Sequence, residues 1–209
     1  MFGSWSNAGL IDQIIVRDPS NFNWTTIFFL AIVVFIYWDL YRKKEYKMLV
    51  AGISLYAVHW FYEIMNAVIA KTTGYPLWAV TNDSTSFILL IGVSVELSFM
   101  FSIAGMVAWR MLPLDRTKKI LGLSVKWWTV ISMSLLFSVI EIFLYWTGKF
   151  VWVYPWWGAI PVCITTYVPF FIAAVFVPDA KPKFQKIFLS SLIGLNILLL
   201  AILIPLGVI

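Results

Sequence analysis

Three glutamates and a histidine stand where an apolar chain has least use for charge. Glu63, Glu96 and Glu141 each fall within a long apolar run, and His59, the only histidine among 209 residues, precedes Glu63 by four positions. An ionisable side chain at the centre of a membrane-spanning helix costs about 2.5–3.5 kcal/mol on insertion scales, so it faces protein or a wet cavity and marks function by default. Clustered carboxylates in a low-dielectric site repel one another as anions, so the group holds on to a proton. A protonated carboxyl beside an ionised one is a general acid beside a general base. Asp39 needs no such account, because it lies near a basic helix end and is expected to escape by snorkelling.

Spacing puts these groups on shared faces. Tyr56, His59, Glu63 and Asn66 follow one another at helical intervals, and Ser134, Ser138, Glu141 and Tyr145 make a second polar stripe. At the rise of an α-helix, Glu63, Glu96 and Glu141 are expected about 10, 16 and 9 Å below the same membrane boundary, with the two stripes facing each other. Trp60, Tyr62, Phe99, Phe101 and Tyr145 adjoin them, and aromatic faces stabilise cations that lack hydrogen-bond donors. The predicted catalytic set is Glu63, Glu96, Glu141 and His59, with Trp60, Tyr62, Asn66, Phe99, Tyr145 and Asp83 around the substrate. A plainer role competes for several of these. Serines and asparagines in membrane bundles commonly only tie helices together, at about 0.6 kcal/mol each, and Asp83 or Ser84 suits a helix N-cap.

The elements that must position these residues are membrane helices. With 62% hydrophobic and 12% charged residues and a mean hydropathy of +0.90, the chain is too apolar for a soluble domain. Apolar runs at about 24–41, 48–70, 85–111, 124–147, 152–177 and 186–208 predict six spans. No repeat, linker or low-complexity tract divides them, so residues 1–209 are expected to form a single all-α transmembrane bundle, with 1–23 a short outer segment that lacks the order of a secretory signal. Twelve of the 15 Lys and Arg residues fall in the first, third and fifth connections, which places those loops in the cytosol and both termini outside. Trp24, Trp78, Trp146, Trp152, Trp156 and Trp157 then mark the outer interface, and Trp38, Trp109, Trp127 and Trp128 the inner one. The net charge of +5 is read as anchoring near anionic lipid and not as nucleic-acid binding. Pro161 and Pro169 bracket Thr165 and Thr166 in the fifth span and predict a kink there.

No phosphate loop, His-Glu-x-x-His motif or Asp-rich diphosphate cluster is present, and one histidine rules out a bis-histidyl haem, so neither metal nor cofactor is expected. The lone Cys163 rules out a disulfide within the chain.

The stretch from Lys43 to Ile69, with its His59-Trp60-Phe61-Tyr62-Glu63-Ile64-Met65-Asn66-Ala67 segment, resembles the corresponding helix of small membrane terpene cyclases of fungal meroterpenoid and indole-diterpene pathways. In that family an aromatic-Glu-Ile segment carries the glutamate thought to protonate an epoxide or alkene. The His-x-x-x-Glu spacing, followed by Asp83 and Glu96 and by Trp157-Gly158-Ala159, is also similar to the sterol-isomerase fold that contains emopamil-binding protein. That resemblance implies that His59, Glu63 and Glu96 are acid and base residues moving a double bond through a carbocation. The cyclases have seven spans and a further acid near the C-terminus, where the sixth span here has Asn196, and the isomerases have five spans.

Both resemblances and the depth argument imply proton transfer to and from an apolar isoprenoid or sterol-like lipid, with Glu63 as acid, Glu96 or Glu141 as base and His59 tuning them. A proton-coupled transporter uses the same carboxylates but needs polar groups on both halves of its pathway. A non-catalytic subunit of a larger membrane complex would instead use the many aromatics and short loops as contact area with partner subunits.

Overall fold

A computed structural model describes residues 24–81 and 87–209. Six helices carry the described chain back and forth: α1 (Trp24–Arg42), α2 (Tyr46–Thr73), α3 (Val95–Met111), α4 (Val125–Trp146), α5 (Ala159–Asp179) and α6 (Pro182–Leu203). All but α3 are at least 18 residues long and apolar enough to cross a membrane. The protein is an all-α membrane protein, and its few strands are short ribbons at the helix ends.

Four of the six expected spans match these helices to within a few residues, because an unbroken apolar run of membrane length has few other ways to satisfy its backbone. The third and fifth begin later than expected. Residues expected to open the third span form an antiparallel hairpin of β1 (Ile88–Leu90) and β2 (Val93–Ser94), turning through Ile91 and Gly92. Ser94 then caps α3, its extended backbone ending the hairpin while its hydroxyl accepts from the Leu97 amide at 3.2 Å. Ahead of this hairpin, β3 (Trp78–Val80) pairs antiparallel with β4 (Phe150–Trp152), which occupies the start of the expected fifth span. A last ribbon, β5 (Lys119–Ile120) with β6 (Leu123–Ser124), turns at Leu121 and Gly122, both with positive φ.

Helix α2 is central and packs against α1, α3, α5 and α6, while α5 also packs against α3 and α4. Small residues let α2 and α3 approach closely. A Cβ on Gly105 would collide with the Ala51 carbonyl, and one on Gly52 would come within 2.7 Å of Met106. Asn196 of α6 donates to the Ala57 carbonyl of α2 at 2.8 Å, which makes this residue a strut between helices. Outside that strut α6 is mostly exposed, as is α1, as lipid-facing helices should be.

The two ends of the bundle differ. At one end Asp179 binds Lys47 at 2.8 Å, Lys126 at 2.6 Å and Arg116 at 3.4 Å, tying the starts of α2 and α4 and the connection after α3 to the end of α5. The basic connections read from the sequence therefore do share one end. Asp39 lies there too, ion-paired with Arg42 at 3.0 Å and Lys43 at 2.6 Å, which adds two partners to the snorkelling expected of it. The opposite end carries the β3–β4 ribbon and the stacked rings of Trp78 and Trp157.

Candidate active site

Near the ribbon end, α2, α3, α4 and α5 surround a cavity of about 40 Å³. Two of the three predicted glutamates and the histidine line it: His59 and Glu63 from α2, and Glu141 from α4. All three side chains are buried. Glu63 and Glu141 line the same cavity from two helices, so the two polar stripes do face each other at this level.

Each carboxylate is held by a tryptophan on the ribbon. The Trp78 indole N–H donates to both oxygens of Glu63, at 3.2 and 3.3 Å, and the Trp152 N–H donates to Glu141 Oε1 at 2.9 Å. Glu141 Oε2 has no hydrogen-bond partner, and Tyr167 shares the cavity wall with it. Nε2 of His59 stands 3.5 Å from Glu63 Oε1, and neither ring nitrogen makes a hydrogen bond. The imidazole is instead stacked on Phe101 at 4.1 Å and meets the edge of Phe170 at 5.9 Å. Thr166 Oγ1, also on the cavity wall, has no partner either. Buried polar atoms are normally satisfied, and a cavity of this size has room for about two or three water molecules to bridge these groups.

The shape of the site follows from local sequence. Asn66, one turn beyond Glu63, accepts from the Leu77 and Trp78 amides at 2.8 and 3.4 Å and donates to the Trp78 carbonyl at 2.8 Å. It fixes the strand that carries Trp78, which makes it a positioning residue and not the predicted substrate contact. Gly92 is obligatory in the wall, because a Cβ there would overlap Glu63 Oε2 and the Trp78 indole. On α5, Pro169 has no N–H to offer the Thr165 carbonyl, which takes the Tyr62 hydroxyl instead at 2.9 Å. The expected kink is a π-helical turn over Cys163–Tyr167, with Thr165 donating to the Pro161 carbonyl at 2.7 Å. This turn brings Thr166 and Tyr167 to the cavity wall.

Other predicted site residues lie elsewhere. Glu96 sits in the first turn of α3, half-buried and off the cavity wall. Trp60 is half-buried against the cluster of Ile64, Leu90 and Ile91, with its ring edge-on to Tyr56 at 6.2 Å. Tyr62 serves the α5 carbonyl, and Phe99 is half-buried off the wall, its carbonyl accepting from Ser102 at 2.6 Å. Tyr145 stacks on Trp152 at 4.7 Å and so steadies the donor to Glu141 without touching the cavity. Asp83 lies outside the described residues.

Sequence reasoning did not find Trp78, Trp152, Gly92, Thr166 or Tyr167 as site residues. The two tryptophans were read as interface belt, yet each follows its glutamate across a short helix-to-strand connection, by 15 and 11 residues respectively. A tryptophan on the first strand after a helix that ends in a buried carboxylate is the signal that was available.

A model of an uncharacterized membrane protein family matches residues 6–205. The chain belongs to that family. A relative from Archaeoglobus fulgidus, itself described as an uncharacterized protein, is 36% identical over 168 residues, covering 79% of this chain and 80% of that protein. No solved structure matches. Membership extends over nearly the whole bundle, the cavity included, and agrees with the integral membrane character read from composition.

Proposed function

We propose that this chain is a membrane-embedded acid/base enzyme that protonates and deprotonates the unsaturated or epoxide-bearing end of an isoprenoid-like lipid. The reading rests on one observation: two buried carboxylates from separate helices converge on a single aromatic-walled cavity. The resemblance of the His59 to Ala67 segment to membrane terpene cyclases supports the same chemistry. By the positive-inside rule the cavity belongs to the outer leaflet, with both termini outside.

Hydrogen bonding divides the labour. Both oxygens of Glu63 already accept from Trp78, which suits a carboxylate waiting as base, while the free Oε2 of Glu141 suits the proton that is delivered. This reverses the role expected of Glu63 from the sequence. Glu141 gives its proton to an alkene carbon or epoxide oxygen, leaving a carbocation. Glu63 removes a proton from a carbon next to the cation, which restores a double bond and leaves the pair with the same number of protons. The faces of Phe101, Phe137 and Trp78 stabilise the cation between the two steps. Return of the proton from Glu63 to Glu141 through water in the cavity closes the cycle.

A carrier would need a polar path onward to the basic end. Beneath the cavity Leu55, Ala104, Val130, Met133 and Phe171 are buried in one apolar cluster, broken by the single hydroxyls of Ser54, Ser134 and Ser138 and by no further buried carboxylate among the described residues, and this favours a one-sided enzyme site.

The test is deuterium incorporation from heavy water into isoprenoid alkenes and epoxides, read by mass spectrometry on protein in lipid nanodiscs. Wild type is expected to exchange or rearrange such a lipid. Glu63→Gln and Glu141→Gln should each lose about 100-fold or more in rate while unfolding at nearly the wild-type temperature. Turnover that survives both substitutions, or no exchange into any isoprenoid, overturns the proposal.

A further inference from the structure

A cavity of about 40 Å³ is far smaller than a lipid, so a lipid whose end reaches the two carboxylates must lie along some opening in the wall. Burial of the wall shows where. Twelve of the sixteen lining residues are buried, including every one supplied by α2, α5 and the ribbons. The four that are partly exposed are Leu97 and Met100 of α3 and Ile140 and Leu144 of α4. All four are apolar, and they form the facing sides of two antiparallel helices that meet each other only sparingly. Val139 and Phe143, next to them on α4, are large apolar residues exposed on the outside of the bundle, so the seam opens among lipid-facing side chains.

We infer that the seam between α3 and α4 is a lateral entrance through which an apolar hydrocarbon chain passes from the bilayer into the cavity, between Met100 and Ile140. The ligand class follows from the lining: a chain with no charge or hydrogen-bonding group along its length, since the four edge residues offer it none, and with a single reactive end, since only the interior beyond them presents polar atoms. An aqueous ligand is disfavoured by the same facts, because desolvating a polar group against such an edge is costly. The entrance deepens the lipid-enzyme reading and rests on it for its purpose, but chain entry can be measured without turnover.

The experiment uses the full chain in phosphatidylcholine vesicles containing a long-chain hydrocarbon probe that bears a diazirine near its end. After photolysis, adducts are mapped by mass spectrometry. Adducts are expected on Phe137 and Tyr167 inside the cavity and on Met100 and Ile140 at its edge. In Met100→Trp/Ile140→Trp the interior adducts should be lost, while those on the lipid-facing Phe35 of α1 remain. Met100→Ala/Ile140→Ala, which only widens the seam, should keep or raise them and guards against misfolding of the bulky variant. Interior adducts that are missing from wild type, or that persist in a folded Trp variant, overturn the entrance. Glu63→Gln separates the two proposals, since it should abolish turnover and leave the adducts in place. A chain that enters without ever being turned over would sink the enzyme and keep the entrance.

Discussion

Each glutamate in the cavity depends on a single aromatic N–H, and the indoles in turn depend on the rings beside them. Trp152 stacks on Tyr145 at 4.7 Å and donates a hydrogen bond to Glu141 at 2.9 Å, so ring and donor can be separated by substitution. Trp152→Phe keeps the stack and removes the donor. Leaving a buried acceptor without its donor costs about 1–3 kcal/mol, so this variant should unfold at a lower temperature in detergent than wild type. Combining it with Glu141→Leu, which removes the acceptor, should cost less than the sum of the two, because both remove the same bond. Strict additivity would mean that the indole and the carboxylate are not coupled. The reasoning also shows what was legible at this scale. Glu63, Glu141 and His59 stood out because charge in an apolar run has to be explained. Their donors did not, because a tryptophan near a helix end is equally expected at the membrane interface.

At the scale of elements, the apolar spans were readable and the places where they stop being helical were not. Residues 88–93, Ile-Leu-Leu-Ile-Gly-Val, are as apolar as the helix that follows, and with both faces of the hairpin covered no two-residue alternation appears. The run therefore reads as continuous, and the third helix, which begins at Val95, was expected to begin about ten residues earlier. The kink in α5 was legible, since Pro161 and Pro169 announce it, but the partner of the freed carbonyl was not, because Tyr62 lies 103 residues away. That partnership can be tested by a double-mutant cycle. Tyr62→Phe in the wild-type background should destabilise by about 0.5–1.5 kcal/mol, the net worth of one hydrogen bond. In a Pro169→Ala background the restored amide can serve the Thr165 carbonyl, and the same substitution should then be close to neutral. Equal costs in both backgrounds would show that the Tyr62 hydroxyl is not replacing the missing amide.

At the scale of the molecule, the cavity and the basic end divide the bundle between them. Chemistry is gathered where the ribbons supply donors, and the far end is closed by an ionic knot around one acid. Lys47, Arg116 and Lys126 all pair with Asp179, and the Arg116 guanidinium also lies 3.9 Å over the ring of Trp109. Because the cations come from the start of α2, the start of α4 and the connection between α3 and α4, the knot fixes the starts of α2 and α4 against the end of α5, and so bears on three of the four helices that wall the cavity. Isolated surface pairs are worth about 0.2–1 kcal/mol, and a network of three sharing one acid should exceed one of them. Asp179→Asn removes the attraction and leaves three like charges together, so its unfolding temperature in detergent should fall below that of wild type. Salt distinguishes this from a simple loss of packing. Screening weakens exposed ion pairs, with a Debye length of about 10 Å at 0.1 M falling to about 3 Å at 1 M. Raising salt across that range should destabilise wild type and, by quenching the repulsion, should stabilise Asp179→Asn, so that the two unfolding temperatures converge. A gap between them that is independent of salt would assign Asp179 a steric role, and the closure of the basic end would then rest on the apolar core alone.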